Sequence, residues 1–317
     1  MKRSFIKGLA VLGMAALLSA CGGGDDDHPA QGNIVQVAQA NNLTALTAAV
    51  TKAGLAATLS EPSATVTVFA PTDAAFGTLA TQLGFASATA LVEALPPATL
   101  ASILTYHVLP TKKTAADLTT GGASQTTLYR FGGAATTLSL QTTNGVAITD
   151  AALTTARVAT ADVAASNGVV HVIDKVLVPP GVLNIVQMAQ VNPIFTTLVG
   201  AVVTAGLQTT LSGTGPFTVF APTNDAFAAI QSTVAGLSKA QLTTVLTYHV
   251  LPSQVLAANI PFGTPVATVA GQTLTINAGT PPTITDKTTT PARIVATDVR
   301  ASNGVIHVIG KVLIPTL

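Results

Sequence analysis

Thr67-Val68-Phe69-Ala70-Pro71-Thr72 recurs unchanged as Thr218-Val219-Phe220-Ala221-Pro222-Thr223, and a phenylalanine follows each copy, Phe76 and Phe227. In an extended chain Val68 and Ala70 point to one side, Thr67 and Phe69 to the other. Proline lacks the N–H that a ladder needs and presets a turn, so the strand ends there. Thr72 and Thr223 then stand where a helix N-cap belongs, a hydroxyl contribution of about 1 kcal/mol. Asp73 in the first copy and Asn224-Asp225 in the second place acceptor or negative groups at the positive end of that helix. The stretch reads as a strand running straight into a helix.

Working outward, the rest of the chain is duplicated too. Asn33-Ile34-Val35-Gln36 matches Asn184-Ile185-Val186-Gln187 at a spacing of 151, the spacing that also separates Phe69 from Phe220. Leu104-Thr105-Tyr106-His107-Val108-Leu109-Pro110 matches Leu246 to Pro252 at 142, and Ser166-Asn167-Gly168-Val169 with His171-Val172-Ile173 matches its counterpart from Ser302 at 136. The shrinking spacing puts nine extra residues of the first copy between Phe69 and Tyr106, and six more between Tyr106 and Asn167. Each unit, 33–179 and 180–317, is long enough to carry its own core. Pro179-Pro180-Gly181 is a short, partly stiff joint, which predicts a restricted domain pair.

Within a unit, Leu46, Ala49, Val50 and Ala53 recur at helical spacing. So do Leu100, Ile103, Leu104 and His107, matched by Leu242, Val245, Leu246 and His249. Pro97 suits a first helical turn and Ser238 an N-cap. After Pro110 the pattern changes to Thr/Val/Ile/Leu alternation, with Asn144-Gly145 and Asn167-Gly168 as hairpin signals. Helices early and strands late predict an α+β fold with a largely antiparallel sheet.

The start of the chain reads as an address. Lys2, Arg3 and Lys7 precede an apolar run from Gly8 to Ala20, too short to span a bilayer and laid out like a secretory signal peptide, residues 1–20. Leu18-Ser19-Ala20-Cys21 resembles a bacterial lipobox. Cys21, the sole cysteine, is the expected lipid-attachment site, and 21–32 a flexible tether of glycine and aspartate spanning on the order of 20 Å. With three of the 14 basic residues lying before Cys21, 11 bases face 13 acids and no basic cluster remains. That argues against nucleic-acid binding, which depends on clustered Lys and Arg.

Three elements in order, Thr-Val-Phe-Ala-Pro-Thr, Tyr-His and Asn-Gly-Val-(Val/Ile)-His-Val-Ile, occur twice and resemble the fasciclin-like adhesion domain from about residue 33 to 317. The resemblance implies tandem fasciclin-like domains, each a wedge of β-sheet with short flanking helices, and a role in adhesion or matrix association. It also implies partner contact around Tyr106-His107 and Tyr248-His249. Since this chain reads as a bacterial lipoprotein, the partner itself does not carry over. A cell-surface protein or polysaccharide is expected, with the lipid on Cys21 holding the chain to an outer membrane or cell surface.

Four of the five histidines sit at repeated positions. His107 and His249 continue an apolar helix face, and His171 and His307 lie in Val/Ile-rich strands, so core imidazoles bonded to backbone account for them. No metal or other cofactor is expected. Asp150, Arg157, Asp162 and Lys175 recur as Asp286, Arg293, Asp298 and Lys311, which suits turn caps and ion pairs. Neither a Gly-x-Ser-x-Gly elbow nor a P-loop is present, so the expectation is a binding module and not an enzyme. The alternative is an envelope protein that binds a small apolar ligand or polymer in a pocket between sheet and helices.

Overall fold

The computed structural model describes residues 31–317; the apolar run, Cys21, His28 and nearly all of the glycine- and aspartate-rich tether lie outside the described residues. Each repeat builds one seven-stranded sheet. In the first, β1 (Val66–Pro71), β2 (Val108–Leu109), β3 (Ser124–Phe131), β4 (Ala134–Gln141), β5 (Ala147–Thr149), β6 (Thr155–Ala165) and β7 (Gly168–Ile173) lie in the order β2-β1-β7-β6-β5-β4-β3. The second repeats that order with β8 (Phe217–Pro222), β9 (Val250–Leu251), β10 (Pro265–Ala267), β11 (Thr273–Asn277), β12 (Thr283–Thr285), β13 (Ala292–Ala301) and β14 (Gly304–Ile309). All pairings are antiparallel except the central β1–β7 and β8–β14 pairs, which are parallel. That exception follows from burial. Both strands of each pair are covered on both faces, the setting in which parallel strands occur.

The duplicated hexapeptide explains the covering. Val68 and Ala70 face the helices, where Phe76 and Leu79 join them, while Phe69 faces Tyr106, Leu138 and Ile148 on the other side of the sheet. Phe220 does the same among Tyr248, Ile276 and Ile284. Thr72 caps helix Asp73–Gln82 by accepting from Ala75 N–H at 3.1 Å, and Thr223 accepts from Ala226 N–H at 3.3 Å. Asp73 stands in the first turn of its own helix, as expected, and has a second role. Its carboxylate reaches across to the start of helix Thr44–Lys52, accepting from Ala45 N–H at 2.8 Å and from the Thr44 hydroxyl. Asn224 makes the same helix-to-helix link, accepting from Thr197 N–H at 3.0 Å and donating to the Pro193 carbonyl at 2.9 Å. Asn33 and Asn184 each form a capping box with the glutamine three residues on.

The length differences fall into two elements. Helices Asp73–Gln82 and Ala88–Ala94 of the first repeat face shorter counterparts, Asn224–Ala228 and Gln231–Ala235. The hairpin β3–β4 has eight residues in each strand, where β10 and β11 have three and five.

The second Asn-Gly signal works by another mechanism than a turn with positive φ. Ala165 pairs with Gly168, so the turn residues are Ser166 and Asn167 and Gly168 is already in the strand. Gly168 is required by closeness: a Cβ there would stand 2.2 Å from the Val66 carbonyl oxygen across the parallel pair. Asn167 is buried and ties three segments together. Its Oδ1 accepts from Ile34 N–H at 3.0 Å, and its Nδ2 donates to the carbonyls of Leu59 at 2.8 Å and Glu61 at 3.1 Å. Asn303 and Gly304 repeat both features. Gly145, by contrast, has φ +84° with open space around it.

These two Asn-Gly pairs give a matched test by urea unfolding. Gly168→Ala is expected to cost about 3 kcal/mol or more, since backbone must move to admit the methyl, whereas Gly145→Ala costs about 1 kcal/mol. Equal losses would contradict the assignment.

Candidate functional site

The Tyr-His pair closes a helix in each repeat. Helix Pro97–Tyr106 leaves carbonyls unpaired at its C-terminus, and His107 Nδ1–H donates to one of them, Ile103, at 2.7 Å. The other ring nitrogen, Nε2, accepts from Leu177 N–H at 2.9 Å, fastening the chain that leaves the last strand. His249 copies this with the Val245 carbonyl at 2.7 Å and Leu313 N–H at 2.8 Å. Both imidazoles are therefore neutral with the proton on Nδ1, and burial pushes each pKa down to about 4, against a smaller upward pull from the helix carbonyl. The Tyr106 hydroxyl donates to the Thr137 carbonyl at 3.3 Å and the Tyr248 hydroxyl to Thr273 at 2.9 Å. Burial raises the pKa of both phenols.

Tyr106, His107, Tyr248 and His249 are only 1–2% exposed. Their side chains are withdrawn from the surface and anchor the helix ends to the sheet. Surface residues around the pair, and not the pair's own rings, are what a partner would meet.

The second pair of histidines uses the opposite tautomer. His171 Nδ1 accepts from Asp162 N–H at 3.2 Å and its Nε2–H donates to the Lys113 carbonyl at 3.0 Å. His307 does the same with Asp298 at 3.3 Å and Val255 at 2.8 Å. Asp162 and Asp298 sit in bulges of β6 and β13 with φ +57° and +59°, a conformation aspartate tolerates better than most residues. Each carboxylate also accepts from a loop N–H, Ala115 at 2.8 Å and Ala257 at 2.9 Å. Bulge, histidine and loop thus form one unit, made twice.

Asp150 and Asp286 gather the chain's exit from each sheet. Asp150 is buried and accepts from the N–H groups of Ala152, Thr154 and Val178 and from the Thr154 hydroxyl, at 2.8–3.1 Å. Desolvation nevertheless raises its pKa, against the downward pull of those donors and of Lys175. Asp286 accepts from Thr288, from Ile314 N–H at 2.9 Å and from Lys311 Nζ at 3.0 Å. There the hydrogen bonds of Thr288, Ile314 and Lys311 outweigh desolvation and lower its pKa. Arg157 and Arg293 are exposed. Thr67 and Thr218, the first residues of the hexapeptide, are fully buried and splice in the loop after β2 and β9. Each hydroxyl donates to a carbonyl, Thr111 at 2.7 Å or Ser253 at 2.6 Å, and accepts an N–H, Lys113 or Val255, at 2.8 Å.

What this arrangement does chemically is hold backbone. In all four repeated histidines both ring nitrogens are engaged by main-chain groups, which leaves neither a lone pair for a metal nor a proton acceptor for a reactant. Among the described residues, no group of three or more His, Cys, Asp or Glu side chains is placed to hold a metal ion. The struts Asn167, Asn303, Thr67 and Thr218 were not singled out from the sequence as functional, although their exact recurrence was the available signal.

The Fasciclin domain model matches residues 41–179 and 193–315. The chain belongs to the fasciclin domain family. Protein sll1483 of Synechocystis is 46% identical over 140 residues, 43% of this chain and 75% of that protein. Transforming growth factor-beta-induced protein ig-h3 of Sus scrofa is 39% identical over 156 residues, 48% of this chain but only 22% of that protein. Human periostin is 32% identical over 155 residues, 18% of its length. The FAS1 domain pair of the insect cell adhesion molecule Fasciclin I aligns with a TM-score of 0.42 at 17% identity, covering 89% of this chain and 95% of that one. Within the family frame, the repeated polar residues above are the parts of a fasciclin fold that this chain makes twice.

The two low histidine pKa values set a pH dependence. An unfolded imidazole takes up a proton near pH 6.5 while His107 and His249 stay neutral to about pH 4, so the unfolded state binds more protons in that window. Stability therefore falls as pH falls from 6.5 towards 4, by about 2 kcal/mol per histidine between pH 7 and 5. Urea unfolding of the wild type against a His107→Gln/His249→Gln variant isolates this slope. The variant is less stable at pH 7 but loses less on acidification, and parallel pH profiles would contradict the assignment.

Proposed function

We propose that this chain is an exported, surface-tethered adhesion protein. Its tandem fasciclin domains mediate cell–cell, matrix or surface attachment, and a lipid on Cys21 anchors it to the outer membrane or cell surface of a Gram-negative bacterium. One observation carries the reading: the four recurring histidines, with Asp150, Asn167, Thr67 and their counterparts, are bonded to the fold's own main chain, which leaves contact with a partner to the exposed surface. What remains for function is the outer surface. That surface is sparingly charged, with only 9% of the chain Asp, Glu, Lys or Arg, and it exposes apolar side chains such as Val203, Phe262, Val269 and Val295. Such a surface suits association with a protein or polysaccharide partner. Family membership supports the same reading, which is of a binding role and not an enzymatic one.

The reading as a carrier of a small apolar ligand has one feature in its favour. Each repeat holds an apolar cavity at the same place, lined by Ile34, Leu46, Val50, Val68 and Leu104 in the first and by Ile185, Leu198, Val202, Val219 and Leu246 in the second. Size decides against it. The spaces are about 20 and 40 Å³, well short of the roughly 150 Å³ of an apolar cavity that takes up benzene, so a ligand would first have to prise helix from sheet.

Attachment assays test the proposal. Cells carrying the full-length protein are expected to attach and aggregate, cells lacking the gene to lose attachment, and Cys21→Ala cells to lose it while secreting folded protein. Equal attachment in all three strains would remove the adhesion reading.

A further inference from the structure

Residues found in only one copy of an internal repeat are not explained by the shared fold, and here several of them meet at the joint between the copies. The longer hairpin β3–β4 carries Tyr129 and Phe131 to Pro179-Pro180-Gly181. The Tyr129 hydroxyl donates to the Pro180 carbonyl at 3.1 Å. Phe131 lies against Gly181 so tightly that a Cβ on that glycine would fall 2.0 Å from the ring carbon Cε2. Gly181 also has φ +75°, so two independent constraints exclude a side chain there.

The second repeat answers from the opposite side. Arg300, in β13, places its guanidinium 5.8 Å from the centroid of the Phe131 ring, within the range of a cation–π contact. Its carbonyl accepts from Gly181 N–H at 3.0 Å. The residue matching Arg300 in the first repeat, 136 positions earlier, is Ala164. The arginine is thus present only where a phenylalanine waits for it. A second tie runs from Asn192 Nδ2 to the Ala152 carbonyl at 2.7 Å, and buried side chains of both repeats join in one apolar cluster.

We propose that the hairpin β3–β4 is a strap that locks the two domains into one rigid body, with Phe131, held between Gly181 and Arg300, as its latch. The strap goes beyond the adhesion reading and does not depend on it. It fixes the relative placement of whatever surfaces the two domains present, so a partner meets one preset geometry and loses no freedom of the joint on binding.

Distance measurement between spin labels tests the strap in the full chain. Labels go on cysteines introduced by Thr89→Cys and Ser232→Cys, exposed positions in the first and second repeats, with Cys21→Ser removing the native thiol. With the latch intact, pulsed electron resonance is expected to return a single narrow distance distribution. Phe131→Ala and Arg300→Ala, each alone, are expected to widen that peak measurably, the remaining ties of Asn192 and the shared apolar cluster still holding its centre, while circular dichroism stays unchanged. Should Phe131→Ala unfold the first repeat, Arg300→Ala decides alone, since it lies in the other repeat. A broad distribution with the latch intact, or a narrow one that survives Arg300→Ala, overturns the proposal.

Discussion

A loop that turns back into a core brings N–H and C=O groups with it, and each one left unpaired away from water costs about 1–3 kcal/mol. The buried polar side chains that recur in this chain answer to that constraint. A mixed sheet with a buried parallel pair at its centre needs long connections at both ends, and those connections must be tied back to the core. Asn167 and Asn303 satisfy the loop before the hexapeptide strand, Thr67 and Thr218 the loop after the short second strand, and His107 and His249 the segment leaving the sheet. Each side chain touches backbone far away in sequence, so each is a point where the fold closes on itself.

The same economy sets where function can lie. Imidazoles and carboxylates are the usual instruments of catalysis and metal binding, yet the recurring ones here, His107, His171, Asp150, Asp162 and their counterparts, are hydrogen-bonded to main chain. Two tautomers are used in each domain: the helix-end histidine holds its proton on Nδ1 and the strand histidine on Nε2, according to which nitrogen faces a carbonyl. A scaffold so occupied internally leaves recognition to its weakly charged exterior. That is consistent with adhesion as the proposed role.

Much of this was legible in the residues because it is local. The hexapeptide's alternation, its threonine cap and the helical face carrying His107 are governed by neighbours within a turn or two, and the structure has them as read. Features decided by distant contacts were not legible. Asp73 stands at the start of its own helix as its position implies, but its bonds to the neighbouring helix have no local signal. Asn167-Gly168 has the composition of a hairpin turn, yet its glycine answers to Val66 across the parallel pair, and that pairing joins residues about a hundred positions apart. The burial of His107 followed from its apolar helix face. The partner-facing role of Tyr106, His107, Tyr248 and His249 rested on family resemblance alone, and it is there that side-chain burial speaks against it.

Nitrogen-15 spectroscopy of the histidine side chains across pH 4.5 to 7.5 measures the central claim directly, that the repeated polar residues are spent on backbone. His107 and His249 are expected to give Nδ1–H signals that hold their shifts through pH 6.5, and His171 and His307 to give Nε2–H signals. Titration of His107 and His249 near pH 6.5, with both tautomers in exchange, would mean rings open to solvent and free to serve a ligand, and would contradict that claim.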